Sequence, residues 1–158
     1  GSEMCIRDRM ITEAREAGKN FLLIMSDLNG LKYVNDSFGH SEGDNLINTA
    51  AGLLSCTRIS GASCEKNFRI GGDEFVKAAY GDITQQGIDE FRREIGEKVN
   101  ITNSTSCKPY PIYMPIGTCL RSPGDIPDCD KMLSSADEAM YADKIRLKSV
   151  TGFDPKRK

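Results

Sequence analysis

The segment Gly71-Gly72-Asp73-Glu74-Phe75 places two carboxylates side by side in a turn. The runs 68–70 and 76–80 on either side are largely apolar and aromatic, which predicts two short strands joined by a tight glycine hairpin. Asp73 and Glu74 would then lie at a strand tip. Carboxylates suit a hard cation such as Mg²⁺, which usually also holds substrate phosphates. Because glycines and acids are ordinary turn residues, the pattern alone leaves open a turn without a ligand.

A second acidic tip follows the most apolar stretch of the chain. Residues 21–25 form a continuous apolar run of strand length, typical of a central strand that is buried on both faces. Ser26 and Asp27 end this run, which places Asp27 at a sheet edge of the kind where α/β proteins bind ligands. The segment 28–44 is rich in Asn, Asp and Gly, so by itself it is equally typical of an ordinary strand-to-helix loop.

Helices and strands that would position these tips follow from the apolar spacing. It predicts helices over 8–18, 43–57 and 130–147, and one capped by Asp82 with an apolar stripe from Ile88 to Val99. Strands are predicted at 111–120 and, as an edge strand, at 150–153, with a loop over 102–108. This order of elements predicts an α/β or α+β sandwich with a mixed sheet.

Composition narrows the function classes. The chain of 158 residues is expected to form one domain, and its net charge of −2 argues against a protein that binds nucleic acid through the phosphate backbone. There is no apolar run of membrane-spanning length and no visible signal peptide, so we expect a cytoplasmic domain of a full-length protein that could be membrane-anchored. The six cysteines include no CxxC pair and the single histidine is His40, so a zinc site is not expected.

Three separated motifs resemble the GGDEF domains of bacterial diguanylate cyclases. The family patterns D-x-D/N-x-x-K-x-x-N-D-x-x-G-H-x-x-G-D, G-G-D/E-E-F and A-D-x-A-x-Y-x-x-K match residues 27–44, 71–75 and 136–144. The resemblance implies an α+β fold with a mixed, mainly antiparallel central sheet flanked by helices, similar to the palm of nucleotidyl cyclases and polymerases. It also implies a single domain over residues 3–158 after a cloning remnant at 1–2, truncated at its N-terminus and excised from a larger protein with an upstream sensory domain.

The same resemblance implies an activity. Such domains condense two GTP molecules into cyclic di-GMP and two pyrophosphates within a transient homodimer, and the expected cofactor is Mg²⁺ or Mn²⁺. A ribose 3′-hydroxyl attacks an α-phosphate, so the protein mainly has to position groups and neutralise charge. Two alternatives remain: a non-catalytic GTP-binding module that regulates a neighbour, and a scaffold that binds no nucleotide.

Carried over onto this sequence, the family's site residues fall into groups by role. The metal ligands would be Asp27, Asp73 and the backbone carbonyl of Leu28. The substrate-binding residues would be Gly30, Leu31 and Lys32 at the phosphates, Asn35 and Asp44 at the guanine edge, and Lys144 and Lys148 as neutralising cations. The catalytic residues would be Asp73, Glu74 and Lys32, and which of the two acids takes the 3′ proton stays open.

The sequence departs from the commonest family pattern in four respects. Residues 29–31 are Asn-Gly-Leu, a familiar variant, where many relatives carry an acid and a His-Phe pair. Lys148 replaces an arginine, which keeps the charge but loses the bidentate fork. Ala62 and Glu65 occupy the positions of an inhibitory Arg-x-x-Asp, so we expect weak or absent product inhibition. Only residues 6–9 remain of the usual opening segment L-T-G-L-x-N-R.

Overall fold

The computed structural model describes residues 2–153, with side chains from residue 5 onward. The elements are α1 (Ser2–Ala17), β1 (Asn20–Asp27), α2 (Leu31–Phe38), α3 (His40–Cys56), β2 (Ala62–Ile70), β3 (Glu74–Gly81), α4 (Gln85–Thr105), β4 (Ile116–Arg121) and α5 (Cys129–Thr151). Gly1 of the expected cloning remnant and residues 154–158 of the expected domain lie outside the described residues. Within that range, no helix is both long and apolar enough to cross a membrane.

Four strands form one sheet in the order β2-β3-β1-β4. All three ladders between the described strands are antiparallel. The predicted hairpin is the pair β2 and β3, and the predicted central strand is β1, whose residues 21–26 are all buried. The predicted α+β fold flanked by helices is therefore confirmed, and its sheet, expected to be mixed and mainly antiparallel, is entirely antiparallel among the described strands.

Alternation along the strands divides the core into two apolar layers. Leu22 and Ile24 of β1 face the layer formed with α2, α3 and α4. Leu23 and Met25 face the other layer, which α1 and α5 complete. Because both faces of β1 are covered, its apolar run is continuous rather than alternating with polar residues. The sheet thus holds the end of β1 rigidly.

Several predicted boundaries were wrong. Residues 31–38 were expected to be part of a loop, but they form helix α2. Leu31, Val34 and Phe38 give that segment a short apolar stripe within its polar sequence. The cap of α4 is Thr84, whose hydroxyl accepts from the Gly87 amide at 3.2 Å. Asp82 instead pairs with Lys19, at 2.9 Å.

The other corrections concern the C-terminal half. Helix α4 continues to Thr105, so residues 102–105 are helical and not part of the expected loop. Strand β4 begins only at Ile116, after three prolines within 109–115 that lack the amide needed for a ladder. The edge strand expected at 150–153 is absent from the described residues because α5 runs on to Thr151. Phe153 then packs against two tyrosine rings.

We expect Gly117→Ala to destabilise the fold, because β4 and α5 approach closely at this residue. A Cβ on Gly117 would lie 1.9 Å from the Ala136 carbonyl oxygen and 2.4 Å from the Met140 nitrogen. Both are backbone atoms, so the strand and the helix must separate, at a cost of about 1–3 kcal/mol. Urea unfolding should show a lower midpoint at an unchanged slope.

Gly96→Ala on α4 is the matched control. A Cβ there meets nothing within 4 Å, so the helix propensity of alanine should raise stability by up to about 1 kcal/mol. Equal effects of the two substitutions would contradict the packing argument.

Candidate functional site

The pairing of β1 with β3 brings the two acidic tips together. Asp27 lies opposite Glu74 in the antiparallel register. One step further, the Leu28 amide donates to the Asp73 carbonyl at 2.8 Å. The backbone of Asp73 is therefore fixed beside Asp27 by the sheet itself. From the sequence, this proximity was expected only from the family resemblance.

Lys144 of α5 contacts this pair of tips. Its ammonium donates to Oδ2 of Asp27, and the two side chains are only 32% and 14% exposed. The neighbouring Asp143 accepts from the Ile116 amide at 2.8 Å, which ties this turn of α5 to β4. The other oxygen of Asp27, Oδ1, is buried and accepts no hydrogen bond from the described residues.

Burial and mutual repulsion make these carboxylates unusually hard to ionise. Burial raises the pKa of Asp27, and the charge of Asp73 raises it further, against the opposing effect of Lys144. Burial also raises the pKa of Glu74, with added repulsion from Asp27, Asp73 and Asp137. A cation placed among these groups would relieve the repulsion.

These features fit a divalent cation with few protein ligands. The unpartnered Oδ1 of Asp27 is an anionic acceptor, and Asp27 and Asp73 line the same cleft. Among residues 2–153, no three His, Cys, Asp or Glu side chains are grouped to bind one ion. Mg²⁺ needs no such group, since it commonly uses one or two carboxylates together with water and phosphate. Asp27, Asp73 and the Leu28 carbonyl stay the predicted ligands.

A cleft of about 790 Å³ opens beside the acids, and the N-terminus of α2 faces the same region. Its lining includes these predicted residues: Asp27, Leu28, Gly30, Leu31, Lys32, Asp73 and Lys144. Gly30 begins α2 in the left-handed conformation with φ 95°, which favours glycine. The first intrahelical bond is donated by Val34, so the amides of residues 31–33 have no partner within the helix. Such amides form an anion-binding site.

Lys32 lines this cleft together with its partner Asp36, whereas Glu74 and Lys148 lie outside it. The Lys32 ammonium pairs with Asp36 at 2.8 Å, and its side chain is 89% exposed. Glu74 lines a second cleft of about 590 Å³, on the other side of Asp27 and Lys144. Lys148 lies in the last turn of α5 and lines neither cleft.

Asn35 and Asp44 are brought near each other by the turn between α2 and α3. The Asn35 side chain lies against Gly43, where a Cβ would be only 1.7 Å from Oδ1. Asp44 follows directly and is exposed on α3. Neither residue lines the first cleft, so the two predicted roles, phosphate binding and base recognition, fall on different parts of the surface.

Some cleft residues were not singled out from the sequence. Tyr33 and Asp36 line the first cleft, and Asp137 and Tyr141 line the second. The spacing of Lys32 and Asp36, four residues apart, was the available sign that this segment is helical.

We expect Asp73→Asn to stabilise the metal-free protein. A raised folded-state pKa means that stability present at acid pH is lost as the pH rises through that pKa, and both Asp27 and Glu74 are shifted this way. Removing the Asp73 charge reduces this loss. Thermal melts in EDTA at pH 7.5 should show a Tm higher by on the order of 2 °C, with the difference shrinking toward pH 4.

Glu90→Gln, an exposed change on α4, is the control and should leave the Tm nearly unchanged. A lower Tm for Asp73→Asn at pH 7.5 would show that the carboxylates do not repel.

Comparison with known proteins gives relatives that include a signaling protein and a diguanylate cyclase. Signaling protein YkoW of Bacillus subtilis is 34% identical over 140 residues, which is 82% of this chain and 16% of that protein. Diguanylate cyclase DgcS of Shewanella oneidensis is 25% identical over 145 residues, which is 92% of this chain and 46% of that one. The chain thus spans less than half the length of these two relatives.

Solved structures similar to this chain include a GGDEF domain. The GGDEF domain of DgcB from Caulobacter crescentus, determined in complex with c-di-GMP, is 27% identical with a TM-score of 0.73, over 88% of this chain and 80% of that one. The family described as diguanylate cyclase, GGDEF domain, matches residues 6–149. That range contains both acidic tips, helix α2 and Lys144. The chain belongs to the GGDEF domain family of diguanylate cyclases.

Proposed function

We propose that this domain condenses two GTP molecules into cyclic di-GMP and releases two pyrophosphates. The observation that carries the proposal is the intact pair of acidic tips, with Asp27 opposite Glu74 and one oxygen of Asp27 buried without a donor. Two groups that suit phosphate, the amides at the start of α2 and the ammonium of Lys144, lie at the same cleft.

In the proposed reaction, a ribose 3′ oxygen forms a bond to the α-phosphorus of the other GTP. The bond from that phosphorus to the bridging oxygen breaks, and pyrophosphate leaves with the electron pair. Mg²⁺ or Mn²⁺, when bound, draws charge from the phosphate oxygens. Lys144 and Lys32 add positive charge, and the amides of residues 31–33 hold the terminal phosphates in place.

We assign the two adjacent acids different roles. Asp73 is tied through its backbone to Leu28, beside Asp27, which suits a metal ligand. Glu74 lines the other cleft, and its raised pKa brings it nearer the operating pH, which suits a group that accepts the 3′ proton.

Guanine recognition is assigned to Asn35 and Asp44. A carboxylate accepts from the N1 and N2 donors of guanine, and an amide can reach O6 or N3. Adenine would leave these polar groups unpaired, so a site built on such bonds should reject it strongly. The proposed substrate also supports a cytoplasmic location for the domain, since GTP is a cytoplasmic nucleotide.

The reaction needs a second copy of the domain, because each copy supplies one GTP.

The residues that replace the inhibitory motif support weak product inhibition. Glu65 is a buried carboxylate paired with Arg58 at 2.6 Å and Lys77 at 3.3 Å. Held in that way, it is not available to a ligand at the surface.

Product formation should depend on protein concentration and on Asp73. With GTP and Mg²⁺ or Mn²⁺, cyclic di-GMP measured by chromatography should rise more than linearly with protein concentration, since two domains must meet. A fusion to a dimeric coiled coil should keep a high specific rate on dilution. Asp73→Ala should lower that rate by about 10³-fold or more. A dimerised, GTP-saturated protein that forms no product with either metal would end the proposal.

Calorimetric titration with GTP and Mg²⁺ separates the alternatives. Asp44→Ala should weaken GTP binding by about tenfold or more, the cost of leaving base donors unpaired. Asn48→Ala, an exposed change one turn further along α3, should not. GTP binding without product would indicate the regulatory module, and no GTP binding by the parent would indicate the scaffold.

A further inference from the structure

The segment 106–115, between α4 and β4, packs across the turn between α2 and α3. Tyr110 in this segment is only 8% exposed. Its hydroxyl donates to Oε2 of Glu42 at 2.6 Å and lies 3.2 Å from the Glu42 backbone oxygen. Lys108 donates to the other carboxylate oxygen, Oε1, at 3.0 Å. Both oxygens of Glu42 are thus held by a segment more than 60 residues away in sequence.

The segment that holds Glu42 is itself fixed. The side-chain amide of Asn103 on α4 donates to the Ile112 carbonyl at 2.8 Å and accepts from the Ile112 amide at 2.7 Å. Prolines at 109 and 111 flank Tyr110 and restrict the backbone there. Tyr110 is therefore presented to α3 from a rigid support.

Glu42 lies between the two residues assigned to guanine, after Asn35 and two positions before Asp44. Gly43 follows it and provides the space in which the Asn35 side chain rests. Asp44 comes next. The turn is closed by two backbone bonds, from the Gly39 amide to the Asn35 carbonyl at 3.0 Å and from the Gly43 amide to the Gly39 carbonyl at 3.2 Å. A displacement of the first turn of α3 would change the distance between Asn35 and Asp44.

The ring of Tyr110 also contacts the other helix. Its centroid is 5.5 Å from that of Phe38, at the end of α2, and Phe38 lies 5.9 Å from Tyr33 in an edge-on contact. Tyr33 lines the first cleft. One residue thus fixes both helices that carry the base-recognising side chains.

We propose that Tyr110, Glu42 and Lys108 form a clamp that positions Asn35 and Asp44 and so sets the preference for guanine over adenine. The inference rests on the proposed function, since it concerns recognition of the GTP base. All three are positioning residues, not groups that touch the nucleotide. Glu42 occupies an unspecified place in the first motif, and Lys108 and Tyr110 lie outside all three motifs. Hydrogen-bond discrimination requires groups held to within about half an ångström, which the clamp supplies.

The contact between Glu42 and Tyr110 shifts the pKa values of both groups. The hydrogen bond from Tyr110 and the ammonium of Lys108 lower the pKa of Glu42. Burial and the hydrogen bond to Glu42 raise the pKa of Tyr110 to about 12. Glu42 is therefore ionised and Tyr110 neutral at neutral pH, so this hydrogen bond keeps its charged acceptor there.

Tyr110→Phe tests the clamp, because it removes the hydroxyl and keeps the ring. Dissociation constants for GTP and for ATP, each with Mg²⁺, should be measured by calorimetry, together with KM and kcat for GTP. We expect the preference for GTP over ATP to fall about tenfold, as for a lost hydrogen bond to a charged group. KM should rise more than kcat falls. Glu42→Gln, which keeps an acceptor for Tyr110 but loses the ion pair, should give a smaller fall.

Tyr113→Phe is the matched control, since Tyr113 lies in the same segment and its ring contacts Phe153. It should leave the preference unchanged. A lower Tm with an unchanged GTP-to-ATP ratio in both Tyr110→Phe and Glu42→Gln would show a purely structural role and overturn the clamp alone. A parent protein that binds GTP no better than ATP would overturn the proposed function, and the clamp with it.

Discussion

The antiparallel pairing of β1 with β3 is the interaction on which the site depends. It sets Asp27 opposite Glu74, and its continuation through the Leu28 amide fixes the backbone of Asp73. Because these contacts are backbone hydrogen bonds within a buried sheet, the acids cannot move apart without opening the central ladder. Helix α5 then brings Lys144 to the same point, tied to β4 through Asp143.

This arrangement places like charges where a stable fold would avoid them. Asp27, Asp73 and Glu74 lie close together, and burial, with added repulsion, raises the pKa of Asp27 and Glu74. Lys144 donates a hydrogen bond to only one oxygen of Asp27. Such local instability is typical of functional sites, which retain strained or repulsive groups because the rest of the fold is stable enough to hold them.

Much of the fold could be predicted from the sequence where one residue type repeats with a clear period. The continuous apolar run at 21–25 gave the central strand, and the glycine pair gave the hairpin. Helix α2 was missed because its Asn, Asp and Ser content matches that of loops, and only Leu31, Val34 and Phe38 carry its stripe. The end of α4 was misplaced because polar residues of its last turns face solvent, so no apolar period marks them.

The candidate site also has features that could be predicted from the sequence and features that could not. The acids and Lys144 could be proposed because three motifs in register indicated them. The contact of Tyr110 with Glu42 could not, because it joins distant segments and follows from how the 106–115 segment packs, which no local pattern encodes. Likewise, the space that Gly43 leaves for Asn35 is visible only once the two helices are placed.

Asn35 and Asp44 lie on helices outside the sheet, whereas the acids lie at strand ends within it. Natural selection can therefore act on the two halves of the site separately. Substitutions on α2 and α3 would alter the proposed base recognition, while the strand-borne acids would keep the proposed phosphate chemistry. Base preference and chemistry in the proposed reaction are thus separable in evolution.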